Sequence, residues 1–220
     1  MENISRVTRS KKEAKISYDK MSRWYDILIG RGEKRSRESG LAVLDAREGE
    51  KVLEIGFGTG HVILALARSV GDSGEVHGLD ISEGMLNITA SRIEEEGLSH
   101  RVNLQCGDAA NLPYTHGFFD AIFMSFTLEL FDTPDIPIVL QECRRVLKDN
   151  GRIGVVSMSR EGKTGTMMKL YELGHEKLPN YIDCRPIYAK NMLEDAGFTI
   201  ANTEIMTYMG LPVEIILGKK

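Results

Sequence analysis

The chain of 220 residues is long enough to bury the core of one α/β domain, whereas two domains would be cramped. Its 42% hydrophobic and 27% charged residues are typical of an ordinary globular protein. The formal net charge of -4 and the pI near 5.8 argue against a general polyanion binder, so no nucleic-acid partner is expected.

Neither a membrane span nor a metal site is expected from the sequence. No apolar run approaches the roughly 20 residues that cross a bilayer, and the amino terminus lacks the apolar core of a signal peptide. We therefore expect a cytoplasmic protein, with basic residues between Arg6 and Lys15 available for peripheral contact with an anionic membrane. The three cysteines and five histidines are scattered, which fits neither a disulfide framework nor a metal site.

The first predicted element is a helix. In SYDKMSRWYDILIG (17–30), Met21, Trp24, Tyr25 and Leu28 recur at helical spacing, which predicts an amphipathic helix packed on the domain. We therefore divide the chain into an N-terminal helical cap segment over 1–45 and, forming one compact unit with it, a single domain over 46–220.

From residue 51 onward, short β-rich runs alternate with longer helical patterns, as in a parallel sheet flanked by helices. Strands are predicted at KVLEI (51–55), EVHGL (75–79), RVNLQ (101–105), DAIFMSF (120–126) and RIGVVSM (152–158). Helices are predicted at 61–70, 83–96 and 135–148. The third ends at KDNG, where Gly151 can adopt the left-handed conformation.

Beyond the fifth strand the alternation changes. Helices are predicted over 164–178 and over about 187–196, the second closing at Gly197. Two strand-like runs follow, FTIANTEIMTYM and LPVEIILGKK, joined through GLP. So short a link favours an antiparallel hairpin, since a parallel return needs a dozen or more residues. The sheet should therefore be mostly parallel, with one reversed strand at its end.

The stretch VLEIGFGTGH (52–61) predicts a ligand site after the first strand. Gly56, Gly58 and Gly60 permit conformations closed to other residues and let a ligand approach the backbone, at the edge where open α/β sheets bind ligands. The spacing G-x-G-x-G, followed by His61, differs from the dinucleotide fingerprint, and no Lys-Ser/Thr pair forms a P-loop. The turn fits a nucleoside-like ligand that need not carry a phosphate.

Acidic residues accompany this turn. Glu54, inside the first strand, would repel a pyrophosphate but attract an ammonium or sulfonium group. Asp80 ends the second strand, where an acid typically accepts hydrogen bonds from ribose hydroxyls. Asp108 ends the third strand and suits an exocyclic amine. Together with the glycine turn, these acids indicate a functional site.

Five motifs resemble, in order and spacing, the class I S-adenosylmethionine-dependent methyltransferases: VLEIGFGTG, GLDIS, GDAANLP, FDAIFMSFTLEL and RRVLKDNGRIGVV. The resemblance is strong over 50–158. It implies a Rossmann-like α/β fold with helices on both faces of a seven-stranded sheet, of order 3-2-1-4-5-7-6 with strand 7 antiparallel. It also implies an enzyme that uses S-adenosyl-L-methionine and releases S-adenosyl-L-homocysteine.

The resemblance further implies a set of cofactor-binding residues: Tyr25, Glu54, Gly56, Phe57, Gly58, Thr59, Gly60, Asp80, Ile81, Met85, Gly107, Asp108, Ala109, Ser125 and Phe126. The glycine turn would approach the methionine part, with Glu54 facing the cationic end. Asp80 would hold the ribose, and Asp108 would accept from the adenine amine. Ser125 and Phe126 would form the floor, and Tyr25 would cover the cofactor.

The stretch MSFTLEL after the fourth strand bears on the methyl acceptor. It lacks the Asn/Asp-Pro-Pro-Tyr/Phe signature of amino-methyltransferases that act on nucleic-acid bases or protein glutamine. It is most similar to the ubiquinone/menaquinone-biosynthesis C-methyltransferases, which also begin with a segment akin to SYDKMSRWYD. The implied acceptor is small and apolar, such as a quinone-ring carbon. Phospholipid N-methyltransferases of the phosphatidylethanolamine type and other small-molecule methyltransferases are alternatives.

No side chain is identified as catalytic, because methyl transfer mostly requires positioning of the reactants. Tyr25 and His175 are the candidates, with Tyr171 and Glu129 weaker. The Met- and aromatic-rich segment 163–188 could form an apolar acceptor pocket or simply anchor a helix to the sheet.

Two other classes of function are the rivals of a methyltransferase. One is an NAD-dependent oxidoreductase, which the sequence GFGTGH disfavours, and the other is a non-catalytic S-adenosylmethionine-binding protein. The oligomeric state is not predicted.

Overall fold

The computed structural model describes residues 6–7, 10–21, 30–161, 171, 184–208 and 210–220. Its strands are β1 (Lys51–Ile55), β2 (Glu75–Asp80), β3 (Val102–Cys106), β4 (Phe119–Ser125), β5 (Leu147–Met158), β6 (Thr199–Tyr208) and β7 (Leu211–Lys219). Its helices are α1 (Lys11–Met21), α2 (Gly30–Leu44), α3 (His61–Ser69), α4 (Glu83–Glu95), α5 (Ile136–Val146) and α6 (Ala189–Asp195), with a 3₁₀ turn at Leu128–Leu130.

The strands form one seven-stranded sheet of order β3-β2-β1-β4-β5-β7-β6. Strands β1 to β5 pair in parallel, whereas β7 lies antiparallel to both β5 and β6. The predicted α/β fold, the strand order and the terminal hairpin through GLP are therefore confirmed. Because β1 to β4 run in parallel, their carboxyl ends meet at one edge of the sheet.

Two apolar clusters cover the two faces of the sheet. One joins α2, α3 and α4 to the sheet and includes Leu44, Ile63 and Met85. The other joins α5 and α6 to the opposite face and includes Leu140 and Leu193. Helices therefore lie on both faces, as expected for a buried parallel sheet.

Local signals set most of the helix ends as predicted. Helix α3 begins after Gly60, which has a φ of 89°. The Ser82 hydroxyl caps α4 by accepting a hydrogen bond from the Met85 N–H at 3.1 Å. Helix α6 is followed by Gly197, with a φ of 89°. Glycine is favoured at such left-handed positions because it has no Cβ.

The predicted end of the third helix was wrong. Helix α5 stops at Val146, and Leu147 is already extended, with φ -70° and ψ 141°. Leu147 is fully buried and pairs with Phe119, so β5 begins there rather than at residue 152. Gly151 does not adopt a left-handed conformation, because it lies inside β5 rather than at a helix end.

The described part of the N-terminal segment packs against the sheet domain. Asp19 of α1 accepts hydrogen bonds from the Ser82 hydroxyl at 2.6 Å and from the Gly84 N–H at 2.9 Å, at the start of α4. Ahead of α1, the Arg6 guanidinium pairs with Asp132 at 2.6 Å. The segment therefore contacts two distant loops of the domain.

Some predicted elements lie outside the described residues. The predicted helix over 17–30 is described only to Met21 and again from Gly30, so Trp24, Tyr25 and Leu28 fall outside. The same holds for His175 and for all of the predicted helix over 164–178 except Tyr171. Across the part of the chain that is described, no helix is both long and apolar enough to cross a membrane.

Candidate functional site

A cleft that is open to solvent lies at the carboxyl ends of β1 to β4. The strand ends contribute Ile55, Asp80, Gly107 and Ser125 to its wall. Leu79 of β2 also lines the cleft. The remaining lining residues come from the turns and helices that follow these strands and from the N-terminal segment: Val7, Ala14, Tyr18, Gly56, Gly58, Ile81, Met85, Asp108, Ala109, Phe126, Thr127, Leu130, Phe131, Asp132 and Asp135.

Most of the predicted cofactor-binding residues line this cleft: Gly56, Gly58, Asp80, Ile81, Met85, Gly107, Asp108, Ala109, Ser125 and Phe126. Glu54, Phe57, Thr59 and Gly60 lie outside its wall. Phe57 belongs to the apolar core, and Thr59, within the turn, is buried. Tyr25 falls outside the described residues.

The three glycines of the turn differ in what surrounds them. All have positive φ, but a Cβ on Gly56 would lie 3.0 Å from the Thr127 Cβ, and one on Gly60 would lie 2.8 Å from the Thr89 Cγ2. A Cβ on Gly58 would meet nothing within 4 Å. Gly56 and Gly60 are thus required by protein packing, whereas Gly58 leaves open space in the cleft wall.

The Asp80 carboxylate ties the turn to α4. One oxygen accepts from the Gly58 N–H and the other from the Ser82 N–H, both at 2.9 Å. Burial raises the pKa of Asp80, while these two backbone hydrogen bonds act to lower it. The carboxylate is therefore held in a fixed orientation at the cleft wall.

The cleft is acidic. Its wall carries the carboxylates of Asp80, Asp108, Asp132 and Asp135, and no described lysine, arginine or histidine lines it. The nearby Arg6 pairs with Asp132 and holds the pKa of that carboxyl at about 2. Charges of one sign in a low-dielectric cleft favour ligands of the opposite sign, so this cleft favours a cationic or neutral ligand over an anion.

Glu54 lies in β1, beneath the turn, and is 2% exposed. Burial, followed by the nearby Asp80 carboxylate, raises the pKa of Glu54 well above its ordinary value, and Arg37 acts in the opposite direction. Its Oε2 atom has no hydrogen-bond partner among the described residues. A positive charge close to Glu54 would therefore be strongly attracted to its ionised form.

The loop after β4 forms another part of the wall and is held by Arg185. This fully buried guanidinium donates hydrogen bonds to the carbonyl oxygens of Glu129 at 3.1 Å and Phe131 at 2.5 Å, and to the Thr133 hydroxyl at 3.0 Å. Phe126, at the start of the loop, has a φ of 51°, which is uncommon for a residue with a bulky side chain. The loop is thus constrained next to the cleft.

The weaker catalytic candidates do not line the cleft. Glu129 is buried, and its Oε1 accepts from the Met158 N–H at 3.1 Å. The Tyr171 hydroxyl donates to the Cys184 carbonyl at 2.9 Å. His175 lies outside the described residues. These contacts give Glu129 and Tyr171 roles in holding the backbone.

The sequence interpretation missed several lining residues. Ala14 and Tyr18 lie one helical turn apart on α1, a spacing that could have indicated a shared face toward the cleft. Leu130, Phe131, Asp132 and Asp135 lie only a few residues beyond the predicted Ser125 and Phe126. Val7 carries no local signal, because its position depends on the distant ion pair of Arg6 with Asp132.

Comparisons with known proteins identify a domain and relatives. Residues 52–151 match the family described as a methyltransferase domain. Demethylmenaquinone methyltransferase of Lactobacillus johnsonii is 35% identical over 166 residues, covering 74% of this chain and 65% of that protein. The enzyme of the same name from Bacillus subtilis is 33% identical over 144 residues, covering 66% and 59% respectively. The chain thus spans just under two thirds of the length of these relatives.

Solved structures share the fold. The [4+2]-cyclase SpnF superposes with a TM-score of 0.79 at 20% identity, covering 97% of both chains. A SAM-dependent methyltransferase from Aquifex aeolicus superposes with a TM-score of 0.67 at 21% identity, covering 91% of this chain and 97% of that one. Because one of these proteins is described as a cyclase, the fold alone does not identify the reaction.

Proposed function

We propose, from the match of residues 52–151 to the methyltransferase domain family, that the protein transfers a methyl group from S-adenosyl-L-methionine to a small apolar acceptor, such as a quinone-ring carbon. The curated relatives are named demethylmenaquinone methyltransferase, which supports a ring carbon as the methylated atom. The acidic wall of the cleft is the observation that carries the proposal.

The charge of the cleft discriminates between the two candidate cofactors. S-adenosylmethionine carries a sulfonium cation, whereas NAD carries a pyrophosphate. Two unit charges 4 Å apart interact by about 4 kcal/mol at an effective dielectric constant of 20. With acidic side chains and no described cationic side chain on its wall, the cleft therefore favours the sulfonium compound over the dinucleotide.

The residues present fit the cofactor. The open space at Gly58 gives the amino acid part close access to the backbone. The fixed Asp80 carboxylate would accept from the ribose hydroxyls, and Asp108 would accept from the adenine amine. Ile81 and Met85 supply apolar contacts for the adenine ring. The other predicted residues that line the cleft are proposed as further cofactor contacts: Gly56, Gly107, Ala109, Ser125 and Phe126. The predicted residues that are not among the described lining residues are proposed as contacts on the resemblance alone: Tyr25, Glu54, Phe57, Thr59 and Gly60.

The bound cofactor supplies a methyl group already activated by the sulfonium, so the protein acts mainly by positioning and by excluding water. Val7, Ala14 and Tyr18 of the N-terminal segment line the cleft, as do Leu130 and Phe131 of the loop after β4. These apolar walls suit a flat, uncharged ring. A ring carbon must release its proton after methylation, and Tyr25 and His175 are the proposed bases.

A phospholipid amine is the less favoured acceptor. Its phosphate would enter a cleft whose described wall holds aspartates and no cationic side chain. A non-catalytic protein that only binds S-adenosylmethionine is the remaining alternative.

The proposal extends to organisation and location. Residues 1–45 act as a helical cap on one compact domain over 46–220, and the protein works in the cytoplasm. Its partner is a small-molecule acceptor, and no nucleic acid is involved. The basic N-terminal residues would contact the membrane surface, where the protein would bind this acceptor.

Calorimetry and a transfer assay test the proposal. S-adenosylhomocysteine should bind the protein and NADH should not, and Asp80→Ala should weaken S-adenosylhomocysteine binding by about 1–3 kcal/mol because its hydroxyl partners lose their acceptor. With methyl-labelled cofactor, label should enter a prenylated naphthoquinol and not phosphatidylethanolamine. If label entered the phospholipid alone, the phospholipid amine would replace the ring carbon as the proposed acceptor. Binding of S-adenosylhomocysteine without any methyl transfer would favour the non-catalytic alternative. No binding of S-adenosylhomocysteine would overturn the proposal.

A further inference from the structure

We propose that Thr89 and Arg92, which lie outside the cleft, are positioning residues for its glycine turn and so determine cofactor affinity. This inference rests on the proposed function. Both residues lie on one face of α4, three positions apart. Neither lines the cleft.

The two side chains hold consecutive carbonyl groups of the turn. The fully buried Thr89 hydroxyl donates a hydrogen bond to the Gly58 carbonyl at 2.8 Å. The Arg92 guanidinium donates to the Thr59 carbonyl at 2.6 Å. The Thr89 methyl group also occupies the space beside Gly60, where a Cβ would approach it to 2.8 Å.

Hydrogen bonds thereby hold both the N–H and the carbonyl group of Gly58. Its N–H donates to Asp80 at 2.9 Å, and its carbonyl accepts from Thr89. With both polar groups engaged by the protein, Gly58 turns its open side to the cleft. The left-handed conformation is available to glycine at little cost but is not enforced by it, so the hydrogen bonds from α4 select it.

Helix α4 is itself tied to the cofactor site. The Ser82 N–H, at its cap, donates to the same Asp80 carboxylate that holds Gly58. The turn, Asp80 and α4 are therefore joined by a closed set of contacts. Thr89 and Arg92 provide the direct hydrogen bonds between α4 and the turn. Loss of either donor leaves a turn carbonyl without that partner and lets the turn leave its binding conformation.

The test compares Thr89→Val, which has nearly the same shape and lacks the hydroxyl, with Thr89→Ser, which restores a donor. Arg92→Met and Arg92→Lys form the second pair. Ser91→Ala is the matched control, because the Ser91 hydroxyl bonds only to the Asn87 carbonyl of its own helix among the described residues. Each purified full chain is titrated with S-adenosylhomocysteine and with 5′-methylthioadenosine, and the thermal unfolding of the ligand-free chain is recorded.

Thr89→Val and Arg92→Met should each weaken S-adenosylhomocysteine binding about tenfold, the effect of one unsatisfied carbonyl of roughly 1.4 kcal/mol. Thr89→Ser and Arg92→Lys should recover most of this affinity, and Ser91→Ala should match the wild type. Affinity for 5′-methylthioadenosine should stay within about twofold in every variant, because that compound lacks the amino acid part that meets the turn.

Equal S-adenosylhomocysteine affinity in Thr89→Val, Arg92→Met and the wild type would overturn the inference. So would a parallel loss for both ligands accompanied by a lower melting temperature, since that would indicate general loosening of the fold. A wild-type chain that binds neither ligand would instead overturn the proposed function, so the two failures are distinguishable.

Discussion

Gly56, Gly58 and Gly60 share one short motif, but two different constraints require glycine at these positions. Thr127 packs against Gly56 and Thr89 against Gly60, so a side chain at either position would collide with the protein. Gly58 has no such neighbour, and a side chain there would instead enter the cleft. The motif therefore combines two structural glycines with one whose open side is available to a ligand.

Gly58→Ala should separate these effects when it is compared with Gly97→Ala. Both glycines have positive φ, and a Cβ on either would meet nothing within 4 Å. Both variants should lose about 1 kcal/mol of unfolding free energy from left-handed strain. Only Gly58→Ala should also weaken S-adenosylhomocysteine binding in calorimetry, because Gly97 does not line the cleft. Equal affinities in the two variants would contradict this role for Gly58.

The positions of single residues were predictable where a strand end determines them. Asp80 and Asp108 were expected at one edge of the sheet because each follows a parallel strand, and both line the cleft. Arg185 carries no comparable signal. Its function depends on the carbonyl groups of residues more than fifty positions earlier, and only the folded chain brings these groups together.

At the scale of elements, the loop after β4 depends on a contact from outside its own sequence. Arg185 donates to two of its carbonyl groups and to Thr133. Burial lowers the pKa of Arg185, and the acids Asp132 and Glu129 act in the opposite direction. The loop conformation therefore requires a buried charged donor, which supports both the loop and the adjoining cleft wall.

Arg185→Met should destabilise the fold by about 3 kcal/mol or more, because buried acceptors would lose their charged donor. Urea denaturation of the ligand-free chain measures the change. Arg47→Met is the control: Arg47 also pairs with an acid, Asp45, but its side chain is 74% exposed, so little change is expected. Similar unfolding midpoints for the two variants would show that the Arg185 contacts contribute nothing.

Element boundaries illustrate how burial overrides local signals. The sequence KDNG predicted a helix end with Gly151 in the left-handed conformation. In the fold, Leu147 is instead drawn into the buried edge of β5 beside Phe119, and the helix stops before it. Local turn residues could not reveal this, because the pairing of Leu147 with β4 is a contact across the sheet.

For the molecule as a whole, alternation in the sequence indicated a mostly parallel sheet with a reversed terminal strand, and the family resemblance supplied the strand order, but neither indicated how the cleft is covered. Parallel strands with short connections leave few topologies, and the terminal hairpin needed only the short GLP link. Val7 reaches the cleft because its N–H and the Arg6 side chain both bond to Asp132, across more than a hundred residues of sequence. The hydrophobic periodicity of a single sequence cannot indicate such a long-range contact.

Glu54 should make the stability of the whole chain depend on pH. Since its folded-state pKa lies above the ordinary value of 4.5, the folded chain keeps a proton that the unfolded chain releases. The unfolding free energy should therefore fall as pH rises from about 4.5 toward the raised pKa, by up to about 1.4 kcal/mol per pH unit.

Glu54→Gln removes this titration, so the stability of this variant relative to the wild type should increase as the pH rises above about 4.5. Urea denaturation of both chains at several pH values measures the difference, in which the contributions of titrating groups that do not interact with Glu54 cancel. An advantage that stays constant with pH would contradict the assignment of this dependence to Glu54.

The acidic cleft wall has a further consequence inside a cell. ATP and related compounds share the adenosine group and are abundant competitors for any site that recognises it. Their phosphate chains would enter a cleft whose described wall carries acidic and no cationic side chains. Under the proposed function, this acidic wall would therefore also disfavour occupation of the site by the adenine-nucleotide pool.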